Sequence, residues 1–206
     1  MKPDTRFSTL PGPAGVIACA VDEPGDAPPR GVAVLCHPHP LHGGTMDNKV
    51  VQTLARAVVQ LGWRAVRFNF RGVGGSAGAY DEGRGEVDDA LAVVAAERVA
   101  GLPLLLGGFS FGGYVAAEAG ARLAAAGTPA DRLVLVGPAT SRFTLPPVPA
   151  DTLVIHGEAD DVVPLAATLD WARPQALPVL VLPGVGHFFH GQLTLLKQLL
   201  VRHALA

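Results

Sequence analysis

"GGFSFGGYVA", residues 107–116, stands between the apolar run "PLLL" (103–106) and the alanine-rich "AEAGARLAAA" (117–126). An apolar run of strand length that gives way to a helical pattern needs a sharp corner, and small residues suit such a corner. That accounts for the glycines but not for Ser110 at the apex. Residues 108–112 read G-F-S-F-G, the G-x-S-x-G pattern in which a strained strand-to-helix turn presents a serine hydroxyl. The helix that follows would aim free N–H groups and a partial positive charge at the same spot. In a chain with 25 glycines the five-residue pattern is weak by itself, so its weight rests on where it stands.

Short apolar runs alternate with helical patterns on both sides of that corner. "GVIACAV" (15–21), "GVAVLC" (31–36), "RAVRFNF" (64–70), "PLLLGGF" (103–109), "RLVLVG" (132–137), "TLVIHG" (152–157) and "LPVLVLPG" (177–184) are predicted strands. Several are apolar without alternation, the mark of strands buried on both faces. Helical spacing over 48–61 places Val50, Val51, Leu54, Ala55, Val58 and Leu61 on one side, and Gly62 ends the pattern. Further helices are expected over 86–99, 112–126, 164–173 and 191–204. Alternating strands and helices imply right-handed crossovers and an open, mostly parallel sheet covered by helices on both faces. Ligands in such sheets bind beyond the carboxyl ends of the strands.

The composition fits a single α/β domain over 1–206: 49% of residues are hydrophobic and 17% charged, enough for a large core. A net charge of −2 and the lack of any Lys/Arg run leave no footprint for nucleic acid. No apolar run approaches the roughly 18 residues of a membrane span, and the first residues lack a secretory signal, so a cytoplasmic, membrane-free protein is expected. Cys19 and Cys36 read as two buried thiols rather than a disulfide.

The residues after the strands carry the chemistry. Serine needs a base, usually a histidine steadied by a carboxylate. "IHGEADDVVP" (155–164) supplies Glu158, Asp160 and Asp161 after one strand, and "PGVGHFF" (183–189) supplies His187 after the last. Three strand ends thus carry the three required residue types in the order Ser, Asp, His.

On "GFSFGG", "HGEADDVVP" and "GVGHFF", with "FNFRGVGGSAG" (68–78), the chain resembles the α/β-hydrolase-fold serine hydrolases over nearly its whole length. "CHPHPLHGGTMDNKVV" (36–51) is similar to a group of small, capless bacterial hydrolases distantly related to dienelactone hydrolases, whose nucleophile is a cysteine where this chain has Ser110. The resemblance implies Ser110 as nucleophile, His187 as general base and acid, and Asp160 as the orienting carboxylate. Asp160 stands in H-G-x-x-D, where the superfamily's acid falls, ahead of Asp161 and Glu158; His190 is the rival of His187. It also implies an oxyanion hole made by the N–H of Phe111 and an N–H from "HPHPLHGG" (37–44). Pro38 and Pro40 have none to donate, which leaves His39, with Leu41 second.

The expected function is carboxylic-ester hydrolysis of small soluble acyl substrates through an acyl-enzyme, with no cofactor and no metal. Phe143, Phe188 and Phe189 are expected as apolar walls, with Phe109 and Phe111 as further candidates, and "PATSRFTLPPVPAD" (138–151) is too short for a helical lid. Competing readings are a thioesterase or peptidase on the same triad, and a non-catalytic protein that captures a small molecule. A metal-dependent hydrolase built on the histidines of H-P-H-P-L-H (37–42) is a third. Arg71 is expected in a structural ion pair, and "YDEGRGEVDD" (80–89) as a solvated acidic face. A free sheet edge would allow a homodimer.

Overall fold

A computed structural model describes residues 5–25 and 27–204; the domain assignment over 1–206 extends past the described residues at both ends. Eight strands form one sheet: β1 (Thr5–Gly12), β2 (Gly15–Asp22), β3 (Val32–Cys36), β4 (Arg64–Phe68), β5 (Leu104–Phe109), β6 (Arg132–Val136), β7 (Leu153–Gly157) and β8 (Val179–Leu182). The described residues also form five α-helices, four between strands and one after the last: α1 (Lys49–Gln60), α2 (Arg84–Glu97), α3 (Phe111–Ala125), α4 (Leu165–Ala172) and α5 (Leu193–His203). The strand order is β1-β2-β4-β3-β5-β6-β7-β8, antiparallel from β1 to β4 and parallel from there on.

The unbroken apolar strands follow from burial on both faces. Val32, Val34 and Cys36 of β3 point into a core shared with α2 and α3, whereas Ala33 and Leu35 point into one shared with α1 and α5. Successive side chains alternate across the sheet, so both sets must be apolar. Asn48 starts α1 as expected of a cap, its side-chain oxygen accepting from the N–H groups of Val50 (2.9 Å) and Val51 (3.4 Å).

β1 departs from expectation. "TRFSTLPG" carries few apolar residues and a proline, and it is a strand because every residue pairs with β2. The first sheet edge is therefore an antiparallel hairpin, with Phe7 at 68% exposure on its outermost strand. The acidic stretch also differs: Glu86 and Asp89 are buried rather than solvated. Glu86 accepts from the N–H groups of Gly83 (2.8 Å) and Asp81 (2.9 Å) at the start of α2. Asp89 takes the bidentate Arg71 guanidinium at 2.8 and 3.0 Å, which is the structural pair expected of that arginine.

The strand order reverses between β3 and β5, and their adjacent carboxyl ends, with Cys36 opposite Gly108, open the crevice where this architecture binds ligands. Between β6 and β7, residues 137–152 contain no helix or strand, so no cap covers that crevice from there. No described helix is long and apolar enough to cross a membrane. Cys19 and Cys36 are free and buried.

Candidate active site

Ser110 occupies the corner between β5 and α3 with φ 56° and ψ −120°, a left-handed conformation that costs a non-glycine residue free energy. Its N–H is tied to the carbonyl of Val136 on β6 (2.9 Å), and its carbonyl accepts from Gly113 (2.9 Å). The corner depends on its glycines. A Cβ at Gly108 would strike the carbonyl of Gly112, and one at Gly112 would strike the backbone of Cys36 and His37. Their absence lets the start of α3 press against the loop that leaves β3.

The structure brings Ser110, His187 and Asp160 together from the ends of β5, β8 and β7. Ser110 Oγ lies 3.0 Å from His187 Nε2, and His187 Nδ1 lies 2.7 Å from Asp160 Oδ2. All three are buried, with Ser110 retaining 8% exposure. The other Asp160 oxygen accepts from the N–H groups of Val162 (3.0 Å) and Val163 (2.7 Å). Burial alone would raise this carboxyl, but the bond from His187 and the N–H groups of Val163 and Val162 outweigh it and hold the group below its ordinary value. His156 stands behind the carboxylate, its Nε2–H donating to the Val163 carbonyl at 2.9 Å and lying 3.4 Å from Asp160 Oδ2. The rivals lie elsewhere: Asp161 is exposed, Glu158 is exposed and accepts from Gly184 N–H (2.9 Å), and His190 is exposed.

The loop after β3 is held by its first histidine. His37 is fully buried; its Nδ1 meets the Pro38 carbonyl at 2.6 Å and its Nε2 accepts from Phe70 N–H at 3.0 Å. Burial pushes its pKa down to about 4, so the ring is neutral and both nitrogens are engaged. His39 follows, half-buried, and its Nδ1 accepts from Leu41 N–H at 3.2 Å. That bond commits the N–H of Leu41. No hydrogen-bond acceptor faces the N–H of His39 or of Phe111 among the described residues.

Aromatic rings flank the serine on two sides. Beside His187 lie Phe109 (centroids 4.8 Å apart) and Phe188 (5.1 Å), the latter 46% exposed. On the other side, Phe111 is buried under His39, Tyr80, Tyr114 and Phe143, with centroids 5.0–6.0 Å away. Phe189 is not a wall residue: it is fully buried in the core under α1 and α5, where the turn at φ 52° sends its ring inward. Phe109, one of the further candidates, is likewise fully buried. Tyr80 and Tyr114 were not marked out by the sequence patterns, although Tyr114 lies four residues after Ser110, one helical turn along α3.

A serine hydroxyl, a histidine and a carboxylate joined in series on a strained elbow, at the crevice of this sheet, define the α/β-hydrolase-fold serine hydrolases. Residues 27–149 match the family model described as "Serine aminopeptidase, S33", and the chain belongs to that family. The chain is similar to an α/β serine hydrolase "without lid" from Xanthomonas campestris, at 40% identity and TM-score 0.88 over 98% of this chain and 94% of that one. It is similar to a serine hydrolase homologue from Coxiella burnetii at 38% identity and TM-score 0.82, covering 98% of each. An uncharacterized protein from Rickettsia prowazekii (strain Madrid E) is 31% identical over 79% of this chain and 74% of its own length.

Proposed function

We propose that the protein hydrolyses carboxylic esters of small soluble acids through an acyl-enzyme on Ser110. The observation that carries this reading is the series Ser110 Oγ–His187 Nε2 (3.0 Å) and His187 Nδ1–Asp160 Oδ2 (2.7 Å). His187 Nε2 takes the hydroxyl proton as Oγ attacks the acyl carbon, and Asp160 fixes the ring through Nδ1–H and stabilises the imidazolium. The tetrahedral oxyanion is held by the N–H groups of Phe111 and His39; Leu41, whose N–H already serves His39 Nδ1, is the weaker second donor. As the intermediate collapses, His187 returns its proton to the departing alkoxide. Water then gives a proton to the same nitrogen and attacks the acyl carbon, releasing the acid and restoring Ser110. No step uses a metal or an organic cofactor. Phe143 and Phe188 are the apolar walls of this site.

The family's description raises aminopeptidase chemistry as a second reading. The ester is preferred because an α-ammonium needs a carboxylate partner, and the carboxylate at the triad, Asp160, is already engaged by His187 and by the N–H groups of Val162 and Val163.

Fluorophosphonate labelling of the wild type and Ser110→Ala tests the proposal, followed by turnover of p-nitrophenyl butyrate against alanine p-nitroanilide. Labelling confined to wild type, with ester turnover above anilide turnover, is expected. A folded wild type that resists the probe would favour the small-molecule-binding reading, and faster anilide turnover would favour the peptidase.

A further inference from the structure

The two aromatic sides of the site are unequal, and the chemistry fixes which half of a substrate meets each. The leaving oxygen must reach His187 Nε2 to be protonated, so the alcohol half lies beside the exposed ring of Phe188. With the leaving group toward His187 and the oxyanion toward Phe111 N–H, the acyl substituent is directed away from His187. There it meets a continuous set of rings: His39 against Tyr80 (4.9 Å) and Tyr114 stacked on Phe143 (4.5 Å, 23° between planes). All four contact Phe111, and all four are half-buried while Phe111 beneath them is 1% exposed. They therefore form a partly exposed cluster packed on Phe111, the residue that follows Ser110.

We infer that the acyl half of the substrate carries an aromatic ring, which packs on the wall of Tyr80, Tyr114, Phe143 and His39. The inference rests on the ester reading above and names its substrate class, the esters of aryl-substituted carboxylic acids. A site without a cap must hold its substrate on the surface it already has. Ring packing gives a directional gain beyond buried area, which an aliphatic chain does not receive. The wall's own geometry, with both stacked and tilted pairs, matches the arrangements in which aromatic rings attract one another.

Ethyl 3-phenylpropanoate and ethyl 3-cyclohexylpropanoate provide the test. They share the alcohol and the acyl spacer, so their intrinsic reactivities match, and the saturated ring is the more hydrophobic of the two. An undifferentiated apolar patch would favour the cyclohexyl ester. The aromatic wall favours the phenyl ester in kcat/KM by about 2- to 12-fold. Tyr114→Leu and Phe143→Leu should each bring the ratio toward unity, while Tyr114→Phe, which keeps the ring, should retain it. Fluorophosphonate labelling of each variant reports whether its serine site is intact. A wild-type ratio at or below one overturns the inference, as does a ratio unchanged in both labelled leucine variants. If wild type labels but turns over neither ester, the ester reading itself has failed and this inference falls with it.

Discussion

His37 follows the central strand β3 and His187 the edge strand β8 of the same sheet, and both are buried, at 0% and 3% exposure. Their partners differ. His37 spends its nitrogens on the backbone, at the Pro38 carbonyl and the Phe70 N–H. His187 spends its nitrogens on side chains, at Ser110 Oγ and Asp160 Oδ2. A backbone acceptor and a backbone donor lock one neutral tautomer, because protonation would set an N–H against the N–H of Phe70. A hydroxyl and a carboxylate leave the ring free to gain a proton, since each can bond to the imidazolium. Burial is common to both regions; what a histidine does there is decided by the groups at its two nitrogens.

This contrast can be broken at either histidine. The largest effect is expected at the loop after β8: His187→Gln should lower kcat/KM for an ester by roughly 10⁴-fold or more and abolish fluorophosphonate labelling, with the melting temperature little changed. Next comes Asp160→Asn, which keeps the shape but stops fixing the tautomer and stabilising the charged ring. A fall of about 10³- to 10⁴-fold in kcat is expected, measured at saturating ester. Equal activity in that variant would mean that the carboxylate only supports the loop through Val162 and Val163.

The smallest effect is expected at His37, and it should appear in stability before rate. His37→Leu leaves the Phe70 N–H and the Pro38 carbonyl unpaired, at a cost of about 2–4 kcal/mol in denaturant unfolding. The pH dependence sharpens the point. In the unfolded chain His37 takes up its proton near its ordinary 6.5, in the folded chain only near about 4. The stabilisation carried by its neutral ring is therefore complete above 6.5 and is lost as pH falls toward 4. His156, whose pKa burial also lowers, adds a slope of the same sign. Unfolding measured across that interval should be less pH-dependent in His37→Leu than in wild type, and an unchanged slope would remove His37 from the account.

Much of this architecture was legible because burial on both faces leaves a coarse mark. "GVAVLC" and "PLLLGGF" can be little else than interior strands, and Ser110, Asp160 and His187 each stand within a few residues of the end of an apolar run. β1 was illegible for the opposite reason: "TRFSTLPG" is an edge strand with one partner, and its pairing with β2 is a tertiary fact. The conformation of the loop after β3 was legible halfway. Proline chemistry removes Pro38 and Pro40, but the capture of Leu41 N–H by the His39 ring depends on a loop conformation that no spacing encodes. The burial of Glu86 and Asp89 escaped because acidic residues near a helix start usually face water. Here one carboxylate meets backbone N–H groups and the other meets Arg71. Phe189 misled by adjacency, since the same turn exposes Phe188 and buries its neighbour.

The backbone at Ser110 carries a further consequence. At φ 56° and ψ −120° the residue sits where glycine rests without penalty and serine does not, a difference of about 1–3 kcal/mol. A chain shaped by foldability alone would place glycine at that corner and gain thermal tolerance. Ser110, the proposed nucleophile, is thus a position at which the residue is poorly suited to the local backbone. Screens that reward only heat resistance should drift toward its loss, and any attempt to harden the molecule has to hold residue 110 fixed and look for its gains elsewhere.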